Sequence, residues 1–146
     1  MSPFKPVCSL WVSLVLLCAV TLPASGRRPS VFPDSVGQKV RYNATIELQR
    51  GYLSGVCVLL NEGDVVRGSL FNEFGLSALS FTYRPARQKV TIDHLVAMLN
   101  KWYIRRVLRR DLSRLMAHLR QGIGTYRNEK HHIDYNFSIL SDATEE

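Results

Sequence analysis

The chain has 146 residues, with 19 lysines and arginines against 12 aspartates and glutamates, and a formal net charge of +7. This length supports one domain with a single hydrophobic core rather than several domains. Of its three cysteines only Cys57 lies outside the N-terminal apolar segment, which excludes a framework of internal disulfides.

The first 26 residues have the order of a secretory signal peptide. Residues 6–26 contain no charged side chain, and the 14 residues 7–20 are almost wholly apolar. This run is shorter than the roughly 20 residues that span a bilayer, and the small residues Ala24-Ser25-Gly26 offer a cleavage site. We therefore predict a signal peptide at 1–26 and an exported, periplasmic protein. A single N-terminal membrane anchor is the alternative, which leaves membrane association open.

The rest of the chain divides into three parts of different composition. Residues 27–38 are predicted to be a linker, residues 39–141 a single domain, and residues 142–146 an acidic tail with frayed structure. The basic character is concentrated in residues 101–120, where seven basic side chains stand against Asp111 alone.

Segments with a period of two predict an antiparallel meander after the linker. In the first segment, Val40 to Leu48, apolar and polar side chains alternate between the two faces of a strand. Turn residues such as Asn61-Glu62-Gly63-Asp64 join successive segments. The later strands are predicted at Leu53 to Leu60, Val65 to Phe74, Leu76 to Tyr83, Lys89 to Ile92 and, closing the domain, Ile133 to Ile139.

From Asp93 onward the apolar period changes to 3.6, which predicts helices. The apolar residues of 93–100 point away from the apolar stripe of 101–121, so one straight helix cannot bury both. We predict a short helix at 93–100, with Asp93 as its N-cap, and a longer amphipathic helix at 101–121. The predicted fold class is α+β: a curved antiparallel half-barrel of about six or more strands, covered on its concave face by both helices.

The sequence contains no pattern typical of catalysis. Gly51 to Gly55 lacks the spacing of a nucleophile elbow, and no zinc-protease or paired-cysteine motif occurs. His132 and Asp134 share one face of the closing strand, but a metal ion would need two further ligands. We therefore predict no enzyme, no cofactor and no metal, and a hydrolase that uses His132 and Asp134 is the third reading.

The predicted long helix carries a basic surface opposite its apolar stripe. This surface is either an ordinary solvated face or a contact for anionic lipid head groups or an acidic protein. Export argues against nucleic acid as the partner. The residues of the predicted basic surface are Lys101, Arg105, Arg106, Arg109, Arg110 and Arg114.

The sheet and the helices together supply a surplus of apolar side chains. Complete cover by the helices would give a plain core, whereas incomplete cover would leave a groove for an acyl chain. The candidate ligand-binding residues on this apolar face are Tyr42, Ile46, Leu48, Leu70, Phe74, Phe81, Tyr83, Trp102 and Tyr103.

Five segments within residues 40–120 carry a resemblance to a known family. They are Tyr42-Asn-Ala-Thr-Ile46, Leu53-Ser-Gly-Val56, Gly68-Ser-Leu-Phe-Asn-Glu-Phe-Gly75, Leu79-Ser-Phe81 and Arg105-Arg-Val-Leu-Arg-Arg-Asp-Leu112, of which Asn72-Glu73-Phe74-Gly75 is the most distinctive stretch. These segments are similar to those of small exported proteins of Bacteroidetes, which in turn resemble shortened LolA/LolB lipoprotein carriers. The resemblance implies an antiparallel half-barrel that holds lipoprotein acyl chains between two membranes.

Two functional hypotheses follow from these observations. The first is a non-enzymatic periplasmic binding protein for an apolar ligand, either a lipid or the acyl chain of a lipoprotein. The second is a protein-interaction module with a closed core, whose basic helix docks an acidic partner. In the second case, charge reversal at Arg106 and Arg110 should abolish capture of the partner without changing stability.

Overall fold

The structure is a computed structural model that describes residues 32–140. The predicted signal peptide, the first part of the predicted linker and the predicted acidic tail lie outside these residues. A 3-10 turn at Ala97–Leu99 precedes the helix. The described elements are β1 (Lys39–Leu48), β2 (Gly51–Asn61), β3 (Val66–Phe71), β4 (Ser77–Arg84), β5 (Lys89–Leu95), α1 (Trp102–Arg120), β6 (Thr125–Asn128) and β7 (Ile133–Ile139).

The strands of residues 32–140 form one antiparallel seven-stranded sheet in the order β5-β4-β3-β2-β1-β7-β6. The first five strands are the predicted meander, and β7 returns to pair with β1, with Tyr42 opposite Ile139 and Glu47 opposite Asp134. The helix α1 packs against both edge strands, β5 and β6. The sheet therefore curls around the helix, which confirms the predicted half-barrel.

The core lies between the concave face of the sheet and the apolar stripe of α1. In β1 the residues Val40, Tyr42, Ala44 and Ile46 are buried while their neighbours are exposed or half-buried. This alternation confirms the predicted strand, because successive side chains point to opposite faces. The helix contributes its own fully buried set, Leu108, Leu112, Leu115, Met116 and Leu119.

The predicted short helix at 93–100 is confirmed only as the 3-10 turn Ala97–Leu99, so within residues 32–140 one α-helix, and not two, covers the concave face. The chain continues as strand through Leu95, and the register of β5 shifts opposite Ser80 and Phe81, where a β-bulge adds one residue. The bulge keeps Ile92 and Leu95 on the same buried face although three positions separate them. That spacing imitates the period of a helix. Asp93 therefore caps no helix, and its carboxylate accepts a hydrogen bond from the Thr82 hydroxyl at 2.7 Å.

The strands also differ from the predictions at two places, the end of β3 and β6. The strand β3 ends at Phe71 and not at Phe74, because Asn72 begins a tight turn. The strand β6, Thr125–Asn128, was not predicted, since its four residues are too short to show alternation and none of them is buried. The long helix occupies Trp102–Arg120, which confirms the predicted helix at 101–121.

Side chains of α1 satisfy the free backbone groups of the edge strand β5. The Ser113 hydroxyl accepts a hydrogen bond from the Val90 amide at 3.0 Å, and Arg105 donates to the Ile92 carbonyl at 2.9 Å. An edge strand with unpaired backbone groups is a site for unwanted strand pairing. The helix thus covers this edge with polar contacts as well as with apolar ones.

The end of the predicted linker packs against the domain. Residues 32–38 form no strand or helix, yet Phe32 is buried and meets the ring of Tyr83 edge-on, with 6.3 Å between the ring centres. Asn61 donates a hydrogen bond to the Pro33 carbonyl at 2.9 Å. The segment before β1 is therefore fastened to the far end of β2.

Gly68 allows the aromatic ring of Phe81 to lie directly against β3, because a Cβ at this position would overlap that ring. We expect Gly68→Ala to lower the free energy of unfolding by about 2 kcal/mol, because overpacking displaces a buried ring. Gly51→Ala is the matched control, since a Cβ there meets nothing within 4 Å, and its effect should stay within about 0.5 kcal/mol. Urea denaturation measures both, and equal effects would contradict this role of Gly68.

Candidate functional site

Most of the candidate ligand-binding residues on the apolar face are buried beneath α1. Each of Tyr42, Ile46, Leu70, Phe81 and Tyr83 is at most 1% exposed. The stripe of helix leucines fills the concave face above them. An acyl chain could reach these five side chains only by displacing the helix.

The other four candidate residues lie near one end of the half-barrel. Leu48 is half-buried at the end of β1, and Tyr103 is partly exposed in the first turn of α1. Phe74 and Trp102 are 78% and 75% exposed. Phe74 therefore belongs to a surface turn and not to the apolar face of the sheet.

The connections of the antiparallel strands define this end. The β1–β2 turn, the β3–β4 turn, the start of α1 and the β6–β7 turn all lie there, because adjacent strands alternate in direction. We call this end the mouth and define it by segments 48–52, 72–76, 96–104 and 129–133.

An apolar hollow of about 280 Å³ opens at the mouth between the β1–β2 turn and α1. The exposed side chains of Arg50 and His131 are the basic groups on its wall. The remaining wall, apart from Gln49 and Gly51, is aliphatic or aromatic and consists of Leu48, Leu99, Tyr103, Ile104, Val107 and Ile133.

The β3–β4 turn holds Phe74 outward in a fixed conformation. The Asn72 side-chain oxygen accepts hydrogen bonds from the amides of Phe74 and Leu76, at 3.0 and 2.9 Å. Gly75 has a φ of +74°, a conformation that glycine adopts at little cost. The distinctive Asn72-Glu73-Phe74-Gly75 stretch is thus a turn that presents an exposed phenyl ring.

Some side chains of the predicted basic surface form hydrogen bonds to the sheet, and others face solvent. Arg105 bonds to β5 and to Asn100, and Arg114 donates to the Tyr126 hydroxyl at 2.8 Å. The hydrogen bond from Arg114 to Tyr126 raises the pKa of that guanidinium. These two arginines therefore fasten α1 to the two edges of the sheet.

The side chains of Arg106, Arg109 and Arg110 face solvent, and Lys101 is exposed at the N-cap of α1. Within residues 32–140 no carboxylate lies within ion-pair distance of these four side chains. Arg106, Arg109 and Arg110 line a groove of about 470 Å³ between α1 and β5, together with Lys89. This groove is strongly cationic.

The Asp111 carboxylate, which the sequence patterns did not indicate as a site residue, lies on the side of α1 that faces β6 and β7. Asp111 is fully buried and accepts hydrogen bonds from the Tyr135 hydroxyl at 2.7 Å and from the Asn128 amide at 3.0 Å. Burial, followed by the nearby charge of Asp111, raises the pKa of Tyr135. One sequence signal was available, because Asp111 falls within the apolar stripe between Leu108 and Leu115.

The candidate nucleophile and acid–base residues are not assembled into a site. Cys57 is fully buried, and burial raises the pKa of its thiol to about 12. His132 lies in the β6–β7 turn with a positive φ, while the Asp134 carboxylate is 3.4 Å from the Arg127 guanidinium. Residues 32–140 contain no group of three histidine, cysteine, aspartate or glutamate side chains that could hold a metal ion.

No protein-family model matches the chain, and no curated protein or solved structure matches it either. Across the described part of the chain, no helix is both long enough and apolar enough to cross a bilayer.

Asp111→Ala should lower the free energy of unfolding by about 3 kcal/mol, because it leaves the Tyr135 hydroxyl and the Asn128 amide without their acceptor. Asp93→Ala is the control, since it removes an exposed carboxylate with one hydrogen bond, and it should cost less than about 1 kcal/mol. Chemical denaturation compares the two variants. A similar small loss in both would show that the buried network adds little.

The Cys57 thiol should resist reagents while the protein is folded. In a chain with Cys8→Ser and Cys18→Ser, we expect modification by Ellman's reagent to be at least about a hundredfold slower than in denaturant. The pKa of the folded thiol lies above its ordinary value of 9. Raising the pH from about 9 towards 12 therefore ionises the unfolded chain first and lowers stability. Rapid labelling of the folded protein would contradict this burial.

Proposed function

We propose that this protein is a non-enzymatic binding protein of the cell envelope that holds an apolar chain, from a lipid or a lipoprotein, in the hollow at its mouth. The observation that carries the proposal is the hollow of about 280 Å³ between the β1–β2 turn and α1. The resemblance to LolA/LolB carriers supports the same class of ligand. The proposed site is at the mouth and not on the concave face, because α1 occupies that face.

The size and composition of the hollow favour the end of a single chain. Ligand cavities usually measure about 300–1,000 Å³, so the hollow of about 280 Å³ is just smaller than that range. Leu48, Ile104 and Val107 are half-buried side chains that would lose further contact with water when a chain enters. Arg50 and His131, on the wall of the hollow, would then face an anionic head group.

The second candidate is the interaction module with a closed core. The fully buried helix leucines favour it, and so do Arg106, Arg109 and Arg110, which have no carboxylate partner within residues 32–140. The two candidates differ in one measurable property, since only the first requires the protein to take up an apolar molecule in solution.

Binding of dansyl-labelled undecanoic acid, followed by dansyl fluorescence, tests the proposal on the full chain. We expect saturable binding that Val107→Trp weakens by about tenfold or more, because the indole ring would fill the hollow. Native mass spectrometry of protein from an exporting host should also detect a bound acyl compound.

Ile123→Trp is the matched control, because it adds the same ring at the opposite end of the half-barrel, where Ile123 is already exposed. It should leave the affinity for the probe unchanged. The N-terminal apolar segment is identical in both variants, so any binding to it cancels in the comparison. Absence of saturable binding, or equal binding by the two variants, would overturn the proposal.

A further inference from the structure

The exposed apolar side chains of the domain are concentrated at the mouth. Nine large apolar residues are exposed within residues 32–140, and six of them lie at or beside this end. Scattered single apolar residues are ordinary on protein surfaces, but a cluster on several loops marks an interaction site. The six are Tyr52, Phe74, Leu76, Met98, Trp102 and Tyr103.

The segments that carry this apolar cluster contain more cations than carboxylates. Asp111 is the one acidic residue of α1, and it is buried on the side that faces β6 and β7. The outward face of the helix is therefore uniformly positive. The mouth, together with residues 105 and 106 of α1, contains five cations and two carboxylates. The carboxylates are Glu73 and Glu129, and the cations are Arg50, Lys101, Arg105, Arg106 and Lys130.

We propose that the mouth docks this protein on an anionic lipid bilayer, with the axis of α1 close to the bilayer normal and its N-terminal end towards the membrane. Phe74, Met98 and Trp102 enter the interfacial layer, and Arg106, Arg109 and Arg110 bind the lipid phosphates. Apolar loop tips combined with basic residues match such a surface in both hydrophobicity and charge. An acidic protein would need an apolar patch beside its carboxylates to match both properties.

The positions along α1 fit the depth of the interface. A helix rises about 1.5 Å per residue, so Arg106 lies about 6 Å behind Trp102 and Arg110 about 12 Å behind it. Interfacial apolar groups enter a bilayer by about 5–10 Å. When Trp102 reaches that depth, Arg106 lies at the level of the head groups and Arg110 just outside them. The long arginine side chains can extend towards the phosphates at both levels.

The inference goes beyond the proposed function and is tested separately from it. A protein could bind the acyl probe in solution without docking on a membrane, and the reverse also holds. A negative result with vesicles would therefore not contradict acyl binding, and a negative result with the dansyl probe would not contradict membrane docking.

Tryptophan fluorescence gives a test that depends on position within the chain. The full chain has two tryptophans, so Trp11→Phe leaves Trp102 as the single reporter. We expect its emission to shift to the blue with vesicles of phosphatidylcholine and phosphatidylglycerol, and brominated lipids in them to quench it. The effect should be weaker with phosphatidylcholine alone and should decline with salt, which screens the charges.

Two controls separate docking at the mouth from general attraction to the vesicle. In the first, Ile123→Trp in a chain with Trp11→Phe and Trp102→Phe places the reporter at the opposite end, where quenching should be absent. In the second, Arg106→Glu with Arg110→Glu should weaken vesicle binding by about tenfold or more. Arg84→Glu with Arg87→Glu makes the same change of charge at the opposite end and should have a much smaller effect.

Three results would overturn the inference. One is a lack of quenching of Trp102 by brominated lipids, even if the N-terminal apolar segment holds the chain on the vesicle. The second is equal quenching of the reporter at position 123. The third is a blue shift of Trp102 that grows with protein concentration in the absence of vesicles, because the occupant of the mouth would then be a second copy of the chain.

Discussion

The burial of the apolar stripe of α1 in the concave face of the sheet is the contact on which the rest of the structure depends. Burying one leucine or methionine side chain stabilises a fold by about 1.5–3 kcal/mol. A seven-stranded sheet without the helix would leave its apolar face in water, and both edge strands would lose their partner. The helix contributes the fully buried set Leu108, Leu112, Leu115, Met116 and Leu119.

Polar contacts then determine where the helix lies across the sheet. Ser113 and Arg105 bond to the backbone of β5 at one edge, while Asp111 bonds to Asn128 and Tyr135 at the other. Apolar packing alone has little directional preference. Hydrogen bonds on both sides of α1 fix the rotation of the helix about its own axis. They therefore also fix the outward direction of Arg106 and Arg110.

The sequence predicts most strands and the long helix well, because apolar side chains recur every 2 residues along most strands and about every 3.6 residues over several turns of the helix. It fails where a local irregularity breaks the period. The bulge beside Asp93 gives a strand the spacing of a helix, and β6 is too short to show any spacing. Periodicity also identifies which face is apolar but not how closely a helix covers it. The pattern is therefore compatible with Tyr42 and Phe81 in a groove or in a plain core, and the structure places both in the core.

The candidate site was less accessible to sequence reasoning, since it is assembled by topology. Phe74, Met98 and Trp102 are far apart in the chain and come to the same end only because the strands run antiparallel. Charge patterning did identify the arginines of α1. It could not indicate that Arg105 and Arg114 bond to other parts of the fold, whereas Arg106, Arg109 and Arg110 have no such partner among the described residues.

The pairing of β1 with β7 has a consequence for how the protein folds. The first five strands and the helix can form from neighbouring segments, but the ladder from Tyr42 to Glu47 is completed only by residues 134–139. Contacts between such distant segments carry a large loop-closure cost and form slowly. Until the last strand has been synthesised, the half-barrel keeps an open edge at β1. A nascent chain therefore stays incompletely folded until β7 is available to pair with β1.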